Sequence, residues 1–509
     1  MGSLEGLLFG FSVCFTPTNI LAVFVGTLVG TLIGVLPGIG PIGAIALLLP
    51  MTFKMDPTTS LIMLAGIYFG SMYGGSTTSI LVKVPGEVCA VVTCIDGYEM
   101  AKKGRAGAAL AVAAVGSFIA GTLGVVGVMF LAPTLAQFAL SFGPPEYFAI
   151  TLLALFILPR ISGGPFWQSL LVMTLGLVLG TIGLDPTSGA LRYTFGLTRL
   201  IQGIDLVPVV MGLYGLGEML HVAEQAGGLP RAAGIRFREL FPTTSEWRRA
   251  LPAIFRGSGL GFFWGLIPGP ATVLSTFGSY RLEQRLSKHR EDFGHGAIEG
   301  VAGPESANNA AGTGAMVPLL SLGIPFSPVP AMLLAALMIQ GVQPGPMLIT
   351  ERPEIFWGVI ASLYVGNMAL LILNFPLIGM WVSVLRFPQS VLQALVILLC
   401  LVGAYSINNS MLDLMVLVVM GGVGYICKKL NFDMTPMILG LVLGPMLEVK
   451  FNESLYLSRG NLLVFFNRPI SGFFIIVLFL VLVVPPIWRL VTRRRRLAPK
   501  GSTSERYPK

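Results

Sequence analysis

Two polar clusters interrupt an otherwise apolar chain. "YFGSMYGGSTTSILVKVPGE" (Tyr68–Glu87) holds Gly74, Gly75, Ser76, Thr77, Thr78 and Ser79 and closes on Pro85 and Gly86. "PESANNAAG" (Pro304–Gly312) sets Glu305, Ser306, Asn308 and Asn309 ahead of a second apolar run. Nearby breaks fall at Pro37, Pro268 and Pro325. These residue types suit ion binding. Small residues let backbones approach closely. A proline removes an amide donor and breaks the helix. Free amides at the start of the next helical piece carry partial positive charge, which favours anions. The hydroxyls of Ser76, Thr77 and Thr78 add neutral donors, so this surface suits carboxylates. Carbonyls unwound at Pro37, Pro85, Pro268 and Pro325, with the Asn309 side-chain oxygen, suit a cation such as sodium. The competing readings are helix packing for any single Ser or Thr and an N-cap at Ser306. "INNS" (Ile407–Ser410) followed by Asp413 reads as a loop opening a helix. Glu87 and Asp96 flank the first break, and either could sense protons or face water. His221, His289 and His295 lie in or near basic loops, without metal or triad spacing.

The elements carrying these clusters belong in a membrane. Of 509 residues, 54% are hydrophobic and 11% charged, against about 25% charged in a soluble protein. Mean hydropathy is +0.80. That composition argues against a large soluble enzyme. Ile20–Leu36, Ala108–Leu131, Ile355–Trp381, Met411–Ile426 and Phe473–Trp488 are among the runs long enough to cross hydrocarbon, or nearly so. The expectation is an all-α polytopic membrane protein with about 10–13 membrane segments, because lipid tolerates no unpaired backbone. Met1–Thr16 lacks Lys and Arg, so no cleaved signal peptide is expected. The five cysteines (Cys14, Cys89, Cys94, Cys400, Cys427) form no metal pattern and read as buried thiols.

Net charge is +9. Basic residues cluster at Lys102–Arg105, at Arg231–Arg256, at Arg281–Arg290 and in the Arg493–Arg496 tail. Short basic loops stay cytoplasmic, which places the C-terminus in the cytoplasm; the tail from about Leu497 is expected to be disordered. A juxtamembrane basic stretch serves orientation or anionic lipid, and nucleic-acid binding is not expected. Gly257–Tyr280 is flanked by basic loops and holds Pro268-Gly269-Pro270 at its middle. It reads as a re-entrant hairpin of two half-helices, the alternative being one kinked span.

The breaks recur. "TLIGVLPGIG" (Thr31–Gly40) aligns with "FFWGLIPGPA" (Phe262–Ala271) at an offset of 231, and Gly74–Gly86 aligns with Gly314–Phe326 at an offset of 240. Two motifs in the same order at nearly the same offset indicate an internal duplication. Paired Gly/Pro-interrupted segments in two halves are the pattern of a secondary transporter with inverted repeats. The expected organisation is a first repeat over 1–222, a cytoplasmic basic linker over 223–256, a second repeat with C-terminal spans over 257–490 and a basic tail over 491–509.

On "GVLPGIGPIGAIALLLPMTFKMDPTTSLIMLAGIYFGSMYGGSTTSILVKVPGE", "CIDGYEMAKKGRAGAAL", "FGHGAIEGVAGPESANNAAGTGAMVPLLSLGIP", "GVQPGPML" and "MILGLVLGPMLE", the chain resembles the TctA family, the large permease subunit of the tripartite tricarboxylate transporters. The resemblance implies a bacterial inner-membrane subunit that works with a small four-helix membrane subunit and a periplasmic solute-binding protein. It implies uptake of carboxylates driven by a sodium or proton gradient, with no other cofactor. The family's signature residues map onto Gly38, Gly40, Gly74, Gly75, Ser76, Thr77, Gly269, Asn308 and Asn309, which become the expected substrate site together with Thr78. Two departures stand out. Lys83-Val84-Pro85-Gly86 replaces the usual Asn-x-Pro-Gly, and Ile324-Pro325-Phe326 replaces Ile-Pro-Gly. Lys83 could neutralise an anionic solute or could snorkel. Phe326 could narrow the cavity or merely pack. Both departures put citrate in doubt and leave an organic anion.

The expected mechanism is alternating access at a midplane site. The scaffold would comprise segments between about Gly121 and Glu218 and from Phe356 onward. An elevator motion would suit a homodimer. The rival class is an anion-selective channel, which would show subunit rings rather than an internal duplication. A polytopic enzyme would need clustered acids or metal ligands. No G-x-x-x-x-G-K-[ST] loop is present, so ATP drive by this subunit is not expected.

Overall fold

The computed structural model describes residues 2–36, 39–161, 165–224, 241–375, 377–384 and 388–497. The first half holds α1 (Ser3–Cys14), α2 (Pro17–Gly34), α3 (Gly40–Leu48), α4 (Pro57–Val82), α5 (Val91–Lys102), α6 (Ala106–Ala139), α7 (Pro144–Ile161), α8 (Phe166–Gly180), α9 (Leu206–Val210) and α10 (Gly217–Glu224). The second holds α11 (Thr244–Gly265), α12 (Ala271–Leu286), α13 (Glu299–Gly314), α14 (Met316–Leu322), α15 (Pro328–Ile339), α16 (Leu348–Glu351), α17 (Pro353–Asn374), α18 (Ile378–Val384), α19 (Gln389–Asn408), α20 (Met411–Lys429), α21 (Thr435–Leu457), α22 (Val464–Asn467) and α23 (Pro469–Leu497). Among the described residues six helices are long and apolar enough to cross a membrane, and six shorter apolar helices accompany them. The chain is an all-α polytopic membrane protein.

Local chemistry sets the helix ends. Pro17, Pro57, Pro328 and Pro353 open their helices, where a missing amide costs nothing. Asp56 caps α4 by accepting from the Thr58 amide at 3.0 Å. Ser410 caps α20 by accepting from the Leu412 amide at 3.2 Å, so the segment around "INNS" does open a helix. Helices α19 and α20 expose Leu395, Leu398, Val402, Met415, Val418 and Val419, as helices facing lipid do.

The core is built on two helix pairs. A Cβ added at Gly26, Gly30 or Gly34 of α2 would come within 2.4, 2.5 and 2.2 Å of the Met63, Ile67 and Ser71 carbonyl oxygens on α4. At Gly257, Gly261 and Gly265 of α11, it would come within 2.3, 2.2 and 2.5 Å of the Gly303, Ala307 and Ala311 carbonyl oxygens on α13. Each glycine of the second set lies 231 residues after its counterpart, and each carbonyl 240 residues after. These are the offsets of the sequence motifs. The correspondence continues at the breaks. Helix α4 ends at Val82 with Lys83 left-handed at φ 58°, and α14 ends at Leu322 with Gly323 left-handed at φ 69°. Glu87 (φ −148°, ψ 166°) and Ser327 (φ −151°, ψ 166°) follow in the same extended conformation.

The two halves interlock. Helix α6 of the first half packs along α13, with Gly116 against Ser306 and Gly124 against Thr313. Helix α17 of the second half packs against α4 and α6; the Asn367 amide donates to the Phe118 carbonyl at 2.7 Å and to the Thr122 hydroxyl at 2.9 Å. Helices α11 and α12 fold back on one another around residues 266–270, both lying against α13. Gly261 and Ser275 meet at Ala307, and Gly257 and Ser279 at Gly303. This is a hairpin in shape, as the Pro-Gly-Pro sequence predicts. Residues 244–256, expected as part of a linker, are instead the start of α11, because Thr243 and Glu246 form a capping box ahead of an amphipathic run. Arg231, Arg236 and Arg238 and the tail beyond Leu497 lie outside the described residues. The basic loops converge: Arg105 pairs with Glu246, and Lys103 donates to the His295 carbonyl at 2.6 Å.

Candidate functional site at the crossing of two buried helices

Helices α4 and α13 form the centre of the molecule. Thr58 to Val82 and Glu299 to Gly314 are buried at every position. The two helices cross with opposite chain directions, because Tyr68 lies beside Gly312 while Ser76 lies beside Glu305. The crossing therefore brings the first polar cluster onto the second. Ser76 Oγ lies 2.5 Å from Glu305 Oε2, and the Thr93 hydroxyl of α5 reaches Glu305 Oε1. The Asn308 amide donates to Glu87 Oε1 at 2.9 Å. The Asn309 amide donates to Ser117 Oγ of α6 at 2.7 Å and to the Glu305 carbonyl at 3.2 Å. The amide oxygens of Asn308 and Asn309 are buried without a partner, so two strong acceptors remain available.

The breaks meet the same cluster. Gly86 folds back onto Gly75; a Cβ on Gly86 would sit 2.4 Å from the Gly75 Cα. That contact carries Glu87 over Asn308. Gly40, left-handed at φ 62°, starts α3 beside the Gly86 carbonyl and Glu87. In the second half, Gly269 (φ 146°) donates its amide to the Phe326 carbonyl at 3.0 Å, tying its break to Pro325-Phe326. The helix that follows, α12, packs against the turn at Val88–Ala90, just past Glu87. Pro85 and Pro268 are both half-buried at this junction.

Not every expected residue joins the cluster. Pro37 and Gly38 lie outside the described residues. Gly74 faces α2, where a Cβ would stand 2.4 Å from the Thr31 carbonyl oxygen. Thr77 and Thr78 donate to the Tyr73 and Gly75 carbonyls of their own helix, at 3.5 and 2.9 Å. Thr77 lines a small gap with Tyr73, Ser76, Ser117 and Asn374, with room for about one water. Lys83 is exposed, its ammonium 5.6 Å from the Tyr98 ring centre. Phe326 is 6% exposed within the main apolar core. Ser306 is not an N-cap: α13 begins at Glu299 and runs through Pro304, leaving Ser306 mid-helix. Asp96 accepts from the amides of Gly294, Gly296 and Ala297 at 2.8, 2.8 and 3.0 Å and from the Tyr280 hydroxyl at 2.8 Å. It anchors the approach to α13.

Sequence reading undervalued Glu305, Thr93 and Ser117. The N-cap reading of Ser306 set Glu305 ahead of the helix rather than within it. The overlooked signal was spacing: Glu305, Asn308 and Asn309 stand at i, i+3 and i+4, one helical face, amid Ala and Gly.

The family model of the tripartite tricarboxylate transporter TctA family matches residues 20–439. The chain belongs to the TctA family. Among its relatives is a protein of Agrobacterium vitis described as an uncharacterized 52.8 kDa protein in the TAR-I ttuC' 3' region. It is 44% identical over 473 residues, covering 93% of this chain and 94% of the relative. A second A. vitis protein, described as uncharacterized and in the TAR-II ttuC' 3' region, is 47% identical over 212 residues, covering 42% of this chain and 88% of the relative. No solved structure matches. The matched stretch of this TctA chain contains every paired glycine of the two helix pairs, both breaks and every residue of the cluster.

Proposed function

We propose that this TctA chain is the permease of a tripartite system that takes up a di- or tricarboxylate or related organic anion by secondary active transport. The observation that carries the reading is the crossing of α4 and α13. Helices from two corresponding halves, running in opposite directions, gather Ser76, Glu87, Thr93, Glu305, Asn308 and Asn309 beside both Pro-Gly breaks. Such a crossing suits two repeats inserted with opposite orientation, and the amides and hydroxyls suit a carboxylate. Glu87 and Glu305 repel an incoming anion unless a sodium ion or proton neutralises them, which gives ion coupling a physical basis.

The water-sized gap beside Ser76 is too small for a dicarboxylate. Entry therefore requires α4 and α13 to part from α6 or α17, first toward one face and then toward the other. A periplasmic binding protein delivers the anion, and a small four-helix membrane subunit completes the complex; a second copy of this chain would steady an elevator motion. The converging basic loops and the C-terminus face the cytoplasm of a bacterial inner membrane. An anion-selective channel is the alternative.

Counterflow of labelled carboxylates in proteoliposomes, with and without sodium, tests this. Saturable exchange is expected in the wild type. Ser76→Ala and Asn309→Ala should slow it by roughly tenfold or more, the cost of a buried polar partner left unpaired. Unsaturable flux, or wild-type rates in both variants, would refute the site.

A further inference from the structure

Glu305 stands apart from every other buried acid in the centre of the molecule. It is 1% exposed, and its carboxyl is hydrogen-bonded to two neutral hydroxyls, Ser76 and Thr93. None of the ion pairs among the described residues involves it. The other charged groups facing α13 are matched elsewhere. On α11, Arg249 holds Glu299 at 2.7 Å and Asp292 at 2.8 Å, while Arg256 holds Glu283 of α12. On α5, Asp96 is saturated by three amides and Tyr280, and Cys94 is a free thiol. On α4, the Tyr73 hydroxyl donates toward Asn367 and the Ala114 carbonyl, and Tyr68 lies at Gly312. The segment after the first break brings Glu87, held by Asn308, and the Cys89 thiol, and Lys83 sits outside over Tyr98. Helices α6 and α14 contain no charged residue. His295 offers its carbonyl to Lys103.

Proton counting at Ser76 points the same way. Ser76 Oγ lies within hydrogen-bond distance of the Met72 carbonyl at 3.1 Å and of Glu305 Oε2 at 2.5 Å. A carbonyl and a carboxylate are both acceptors, and one hydroxyl carries one proton. Both bonds form at full strength together when Glu305 supplies the second proton and donates it to Ser76 Oγ. Thr93 donates to the other carboxyl oxygen, Oε1. An ionised carboxylate enclosed by two hydroxyls, with a second acid nearby, would be left poorly solvated.

We infer that Glu305 carries the coupling proton, and that Ser76 and Thr93 hold it in its carboxylic-acid form when the site is closed. This rests on the transport reading above and selects its ion. With Glu305 protonated, the anion meets a donor rather than a negative charge. When the site opens inward and the anion leaves, water reaches the carboxyl. Its O–H bond breaks, the proton passes to water on that side, and Glu305 is left ionised. Reprotonation from the outer face resets it. One proton crosses with each anion, and no other reactant is consumed.

The test uses the complete membrane complex. Infrared difference spectra on a pH step should show a protonated-carboxyl C=O band that loses intensity on deprotonation, is absent in Glu305→Gln and is shifted in Thr93→Val. In proteoliposomes an inward proton gradient should raise wild-type uptake about tenfold over no gradient, as one unit of pH supplies about 1.4 kcal/mol per proton. In Glu305→Gln any residual flux should ignore the gradient. The inference falls if the wild type shows no such band. It falls equally if Glu305→Gln still responds to the proton gradient, or loses sodium dependence instead. A titrating Glu305 band in a complex that moves no carboxylate under any gradient would overturn the transport reading and the coupling role with it. Saturable carboxylate uptake lacking the Glu305 band would overturn the inference alone.

Discussion

The glycine contacts between α2 and α4 and between α11 and α13 make a paired prediction. Replacing Gly30 with Ala places a methyl 2.5 Å from the Ile67 carbonyl oxygen, and replacing Gly261 with Ala places one 2.2 Å from the Ala307 carbonyl oxygen. Ordinary contact needs roughly 3.5 Å, so each helix pair must separate by about 1 Å. Neither neighbour is a flexible side-chain tip; both are helical backbone in fully buried helices. Overpacking of this kind costs about 1–3 kcal/mol. Alanine's better helix propensity returns about 0.5–1 kcal/mol, leaving a net loss centred on about 1 kcal/mol and reaching about 2.5 kcal/mol in each variant. Gly259 on α11 is the control. It is exposed with nothing within 4 Å, and Gly259→Ala should gain a few tenths to about 1 kcal/mol from propensity alone. Denaturant unfolding of the purified protein in one detergent, monitored by circular dichroism, gives the three values. The duplicated architecture requires Gly30→Ala and Gly261→Ala to lose stability together and by similar amounts. If both are as stable as Gly259→Ala, the close helix contacts are wrong. If only one loses stability, the correspondence between the halves fails.

Lys83→Gly should raise stability by about 1 kcal/mol, because a left-handed conformation strains a side chain but not glycine; carboxylate affinity should stay within about twofold, since the ammonium lies over Tyr98 and away from the cluster. Titration of affinity against Lys83 variants checks this, and a large loss would return Lys83 to the site. Asn308→Asp places a second acid against Glu87, and should cut carboxylate exchange about tenfold or more, with exchange kinetics as the readout. In the loop between α8 and α9, the Ser188 hydroxyl, the Thr187 amide and Arg192 hold the Asp185 carboxyl below its ordinary value. A depressed folded-state value gives stability that is present above the unfolded value and is lost as pH falls through the folded one. Proteolysis of this loop should therefore rise on acidification below the ordinary carboxylate range, and Asp185→Asn should abolish that dependence.

Much of the architecture was legible in the sequence, and for identifiable reasons. Long apolar runs announce membrane helices because lipid satisfies no backbone group. The offsets of 231 and 240 reappear as glycine-to-carbonyl contacts, since close helix packing can only be written with small residues. The Pro268-Gly269-Pro270 hairpin was legible because proline cannot continue a helix. What stayed hidden was which hydroxyls face the crossing. Ser76, Thr77 and Thr78 look alike in sequence, yet helical rotation sends Ser76 to Glu305 and leaves Thr78 bonded to its own helix. Glu305 was obscured by the N-cap reading of Ser306, whereas α13 runs from Glu299 through Pro304. The role of Lys83 was also undecidable from sequence, because nothing local fixes the direction of a side chain that follows a helix end.

The central claim is that the anion binds where Ser76 of α4 crosses α13. A Ser76→Cys substitution, in a background with the five native cysteines replaced, turns that claim into a rate of alkylation by a membrane-permeant thiol reagent. At a carboxylate concentration ten times its dissociation constant, occupancy should slow the reaction about tenfold, while an unrelated neutral solute leaves it unchanged. An alkylation rate that does not respond to any transported anion would contradict the account.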